Sequence, residues 1–203
     1  MNIKSTSTVR FQIITILVGL SLDKAISKIA DKASTAFTIL CIVYFTINIL
    51  NFYHAKIVTT ESPEYKPGKN EAIYEIMDYL LNSLLMIGFL IVALYVDEFK
   101  KFLFANIALR LVDLAMIGHS FISVSRSKRG GEMLRANLYW AAYSTFTILL
   151  LAMLIVSITH CHMTVALWML GVLLASVIVD IALDYSINWH FYFPSEPEVA
   201  RIP

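Results

Sequence analysis

The sequence predicts an all-α integral membrane protein, a polytopic bundle of about six transmembrane helices with both termini cytoplasmic. Three observations carry this expectation. Hydrophobic residues make up 58% of the 203-residue chain and charged residues only 15%, whereas a soluble domain carries about a quarter charged residues. Apolar runs recur at about 10–30, 34–53, 73–96, 102–124, 137–159 and 163–186, spaced as ~20-residue crossings joined by short connections. Lys and Arg alternate in abundance from one connection to the next. The whole chain, 1–203, therefore reads as a single transmembrane domain of mean hydropathy +0.70.

The first run is the least apolar. Its continuous part, Phe11 to Leu22, contains Gln12 and Thr15 and is short for a crossing, so the helix either spans, re-enters or lies at the interface. Lys4 and Arg10 ahead of FQIITILVGL imitate a secretory signal. No small-x-small site follows directly, and SLDKAISKIADKAS continues as an amphipathic helix, which predicts a retained first helix.

The second run carries Cys41, Asn48 and Asn51 and ends in NFYHAK, an interfacial anchor. A cytoplasmic loop follows at 54–71, where Pro63, Pro67 and Gly68 interrupt helix formation. The third run opens with Asp78 and Asn82. A basic cytoplasmic turn, SRSKRGGEMLR at 125–135, separates the fourth and fifth runs. Cys161 lies in the hairpin THCHM between the last two. The sixth run closes in the aromatic stretch DYSINWHFYFP and a flexible tail at 194–203.

Orientation follows from the cationic residues. With six spans and an inner N-terminus, the inner side holds Lys4, Arg10, Lys56, Lys66, Lys69, Arg126, Lys128, Arg129, Arg135 and Arg201, ten against the outer five of Lys24, Lys28, Lys32, Lys100 and Lys101.

The polar residues inside the apolar runs are the functional candidates. Asn106, Arg110, Asp113 and Ser120 share a narrow stripe of the fourth helix; Ser176, Asp180 and Asp184 follow at four-residue intervals on the sixth. Asn48 and Asn51, Asp78 and Asn82, and Asp23 complete the set, so five of the six helices contribute. A charge at bilayer depth costs roughly 2.5–3.5 kcal/mol, and these faces should meet one another or water. The expected site is an inward-opening polar pocket lined by Asp78, Asp180, Asp184, Asn48 and Asn51, with Arg110 and Asp113 near mid-depth. Three uses remain open: helix glue, an ion or water pathway, and a small-ligand pocket.

Other chemistry finds no foothold. A net charge of +1 leaves no field for nucleic acid. The chain lacks GxSxG, P-loop, GxGxxG and HExxH motifs, so neither an enzyme nor a cofactor is expected. His160, Cys161 and His162 are too close together to close a tetrahedral site alone, and no metal is assigned. A TVGYG filter and an arginine series are also missing. Leu22 between Ser21 and Asp23 breaks any Phe-Ser-Asp potassium-channel signature.

The segments LVGLSLDKAI, NFYHAK and DYSINWHFYF resemble a pattern in small bacterial polytopic membrane proteins. That resemblance implies the bacterial inner membrane and carries over no site. The expected function is an ion-conducting or pore-forming subunit, homo-oligomeric in the lipid bilayer, of the kind that serves as a membrane effector. The alternative is a non-conducting scaffold or sensor that binds a cytoplasmic protein partner in a stress or antiviral defence system.

Overall fold

A computed structural model describes residues 3–31, 36–61, 71–125, 131–160 and 163–193, and among these the only regular secondary structure is helix. Six long helices follow in order: α1 (Ile3–Asp31), α2 (Ala36–Glu61), α3 (Glu71–Leu94), α4 (Phe99–Ser125), α5 (Gly131–His160) and α6 (Met163–Ile187), with a single turn, α7 (Trp189–Tyr192), at the end. All five prolines lie outside them, as the lost amide and the ring clash of an internal proline require.

Five helices contain stretches long and apolar enough to cross a membrane: Ala36–Ala55, Ile76–Leu94, Phe99–Ile122, Met133–His160 and Thr164–Ile187. The outer surface agrees with this. Trp168, Leu149, Phe104 and Ile178 are among many large apolar side chains left exposed, a distribution that suits lipid and not water. The chain is a multi-pass membrane protein.

Two expected boundaries shift. α2 continues through Glu61, so the first eight residues of the connection at 54–71 are helical. α5 begins at Gly131, so the second half of the 125–135 turn already belongs to a helix. The remaining parts of both connections, at 62–70 and 126–130, and the tail at 194–203 lie outside the described residues, as do Cys161 and His162.

The helices close a ring in the order α1, α3, α4, α5, α6, α2, and α2 also reaches inward to α3 and α4. Pairings along their length fix their directions. Thr15 of α1 meets Tyr53 of α2 at 3.1 Å, while Lys28 of α1 meets Asp97, just beyond α3, at 3.3 Å. α1 thus lies against the bundle, contacting it at mid-length and near its C-terminal end. The C-terminal ends of α2, α4 and α6 gather with the N-terminal ends of α1, α3 and α5, as the pairs His54 with Tyr185 and Ser120 with Asn137 show.

The core divides along the bundle axis. Toward the end where α5 finishes and α6 begins, Leu151, Leu154, Leu170 and Leu173 are fully buried and pack with Phe102, Phe45 and Val92. Toward the opposite end the buried positions of the same two helices turn polar: Asn137, Ser144 and Thr147 on α5, Asp180 and Asp184 on α6.

Candidate functional site

At mid-depth Arg110 of α4 is the hub. Its guanidinium donates to Asn48 Oδ1 of α2 in a short hydrogen bond and lies 3.4 Å from Asp113 Oδ2, one turn along its own helix. Asp113 also accepts a hydrogen bond from Ser144 Oγ of α5 at 2.7 Å. The Tyr143 ring stands 5.5 Å from the guanidinium carbon, close enough for a cation–π contact. Three helices therefore meet on one ion pair that is only about one-sixth exposed.

One level toward the α6 C-terminus, Asp180 accepts from the Tyr139 hydroxyl, at 2.8 Å to Oδ1, and the same hydroxyl lies 3.2 Å from the Asp180 carbonyl. One turn further, Asp184 is held on every side. Trp140 Nε1 donates to both its oxygens at 3.0 Å, Asn188 Nδ2 donates at 2.6 Å, and the Tyr192 hydroxyl donates through a short bond. Asn188, where the helix breaks between α6 and α7, sets this last geometry: its N–H still bonds to the Asp184 carbonyl at 2.8 Å, and α7 then folds Tyr192 back over the carboxylate.

His54 of α2 joins that end. Its Nδ1 shares a short hydrogen bond with the Tyr185 hydroxyl, and its ring stacks against Tyr185 and Tyr192 at 5.4 and 5.6 Å between centroids. Tyr185 and Tyr192 stack on each other at 4.5 Å. Tyr185 and Tyr192 of the aromatic stretch thus pack into the bundle. Burial pushes the Tyr192 phenol above its usual range, and the neighbouring Asp184 carboxylate adds to this.

The structure draws together Asn48, Arg110, Asp113, Asp180 and Asp184 along one side of the ring. It does not bring every expected residue there. Asn106 is buried but turns its amide to the Phe102 carbonyl of its own helix at 2.8 Å. Asp78 lies on α3, and among the described residues α3 makes no contact with α6. The expected pocket combining Asp78 with Asp180 and Asp184 is therefore corrected to a seam of α2, α4, α5 and α6. Asp23 is exposed on α1, away from the seam.

Sequence reasoning passed over α5, the helix that supplies most of the seam's partners. Tyr139, Tyr143 and Thr147 repeat at four-residue intervals and so form one row. Trp140 and Ser144 form the row beside it. The Tyr143 and Thr147 hydroxyls are buried without a hydrogen bond of good geometry, as is that of Tyr44 on α2. Each such group costs about 1–3 kcal/mol relative to a paired one.

Among the described residues no three His, Cys, Asp or Glu side chains gather as a metal ion would require. No family model, curated protein or solved structure matches this chain.

Proposed function

We propose that the protein is an ion-conducting subunit of the bacterial inner membrane, with its pathway along the seam of α2, α4, α5 and α6 and with the outward half closed. One observation carries the reading. The seam holds three carboxylates, Asp113, Asp180 and Asp184, against the single guanidinium of Arg110, so acids outnumber the cation there. Asn and Ser side chains join membrane helices at far lower cost than unneutralised acids, so helix glue alone does not account for this excess.

Leu151, Leu154, Leu170 and Leu173 occupy the same helix pair beyond the polar stretch, where an apolar layer excludes water and acts as a gate. The packing of α1 against the bundle supports a sixth crossing. Six crossings put both termini on one side, and the excess of Lys and Arg marks that side as cytoplasmic.

A scaffold reading also has an observation in its favour: each of the three carboxylates accepts a direct hydrogen bond from a side chain on α5. Flux measurements on proteoliposomes separate the two. Replacing a gate leucine, Leu170→Ser, is expected to raise ion flux, and adding Asp180→Asn is expected to lower it again. Folded protein that passes no ion in the parent, Leu170→Ser or double-variant form would reject conduction in favour of the scaffold.

A further inference from the structure

We infer that the ion carried by this seam is the proton, handed along the hydroxyl row of α5; the inference rests on the conducting role proposed above and names its substrate. Tyr139, Tyr143 and Thr147 span eight residues of one helix row, roughly 12 Å at the helical rise of ~1.5 Å per residue. At one end Tyr139 is already engaged with the Asp180 carboxylate at 2.8 Å. In the middle Tyr143 lies against Arg110, whose partner Asp113 is bonded to Ser144 on the adjoining row. At the far end Thr147 is fully buried where the apolar layer begins.

The hydroxyls of Tyr143 and Thr147 neighbour each other and that of Tyr44 on α2 neighbours Arg110, yet all three are buried and none forms a hydrogen bond of good geometry. Native proteins pair nearly all such groups with good geometry, and three poorly paired hydroxyls, two of them beside Arg110, call for a reason. A hydroxyl is both donor and acceptor, so these three have the unused capacity that a relay needs.

The chemistry balances without any further reactant. A hydroxyl oxygen accepts a proton from one neighbour and releases its own to the next, so one O–H bond forms as another breaks. Each phenol or alcohol is restored, and one proton has advanced. Asp180 takes up the proton at the inner end and gives it back.

Alkali cations fit the seam poorly. A dehydrated cation needs converging acceptors, yet the carboxylate oxygens here face donors from Ser144, Tyr139, Trp140 and Asn188. An anion would meet the three carboxylates.

The test uses phosphatidylethanolamine and phosphatidylglycerol vesicles loaded with the pH dye pyranine, with a potassium gradient and valinomycin setting the potential. Full-length protein carrying Leu170→Ser is compared with the same protein also carrying Tyr143→Phe or Thr147→Val, shape-conserving changes that remove only the hydroxyl or its equivalent. Potential-driven proton entry is expected, slowed in D2O and reduced roughly tenfold by either added substitution, the size of effect that losing one hydrogen bond produces. Potassium or chloride flux without proton flux, read with ion-specific dyes in the absence of valinomycin, would overturn the proton assignment and leave conduction standing. Proton flux indifferent to both substitutions and to D2O would overturn the relay. Absence of flux for every ion would reject conduction itself. Should one hydroxyl variant misfold, the other carries the comparison, and proton flux unchanged by it would overturn the relay.

Discussion

The indole N–H of Trp140 on α5 is shared evenly between the two oxygens of Asp184 on α6, 3.0 Å from each. This bifurcated bond ties the start of one spanning helix to the end of the next, and Tyr192 and Asn188 complete the ring of donors around the carboxylate. The end of the bundle where α6 finishes is thereby pinned by one acidic side chain that is 2% exposed.

Replacing that acid should loosen this whole end. Asp184→Leu removes the acceptor that Trp140, Asn188 and Tyr192 share, and the expected destabilisation is about 3 kcal/mol, as when one partner of a buried charged network is removed. Asp184→Asn keeps one acceptor oxygen and should cost less. Thermal unfolding in detergent micelles checks both; an Asp184→Leu protein as stable as the parent would mean that Trp140, Asn188 and Tyr192 find other acceptors or water.

Arg110 and Asp113 should behave as a coupled pair. Each is only about 15% exposed, so removing one leaves the other charged and poorly solvated. Arg110→Met and Asp113→Leu alone are expected to destabilise by about 3 kcal/mol each, and the double variant by less than their sum, with a coupling of about 1–3 kcal/mol. The Ser144 hydroxyl bonded to Asp113 keeps the coupling from being complete. Strict additivity in a double-mutant cycle would show that the two charges do not rely on each other.

These pairings also show what the sequence made legible. Membrane-spanning runs emerge from apolar length alone, and the inward faces of α4 and α6 are marked by Arg110, Asp113, Asp180 and Asp184 because charge has nowhere else to go. With lipid outside and leucine inside, the usual apolar periodicity fades, and nothing in α3 tells which neighbours it meets. The ring order that parts Asp78 from Asp180 is a property of packing. The α5 row was readable in principle: Tyr139, Tyr143 and Thr147 stand four residues apart. It stayed hidden because tyrosine, tryptophan and threonine sit comfortably in apolar runs, so their spacing draws no attention until a carboxylate is seen opposite.

Tyr192 predicts an alkaline limit on how firmly α7 docks. Its phenol is held above the usual range in the folded protein, first by burial and then by Asp184, whereas an unfolded tyrosine loses its proton near pH ~10. Above that pH the folded state binds more protons than the unfolded one, so stability falls as pH rises; well below it the contribution is constant. The margin in Tm of the parent over Tyr192→Phe should therefore be steady around neutral pH and shrink as the pH passes about 10. A margin that is flat through this range would place the Tyr192 phenol in ordinary solvent.

A close approach between α3 and α4 at Gly88 gives a prediction that depends on shape alone. A Cβ added at Gly88 would stand 2.7 Å from Cδ1 of Leu109, a buried side chain on α4. That atom is the far end of a flexible leucine, so Gly88→Ala should be absorbed by a rotamer change at a cost of about 1 kcal/mol. Gly88→Val adds bulk that the rotamer cannot clear, and about 2–3 kcal/mol is expected. Leu109→Ala on its own leaves a cavity and should cost about 2–5 kcal/mol. Combined, the two changes exchange volume across the same contact, and Gly88→Val with Leu109→Ala should be markedly more stable than the sum of the single losses. Chemical denaturation of the four proteins in micelles measures this directly; additivity within about 0.5 kcal/mol would mean that α3 and α4 do not meet at this pair.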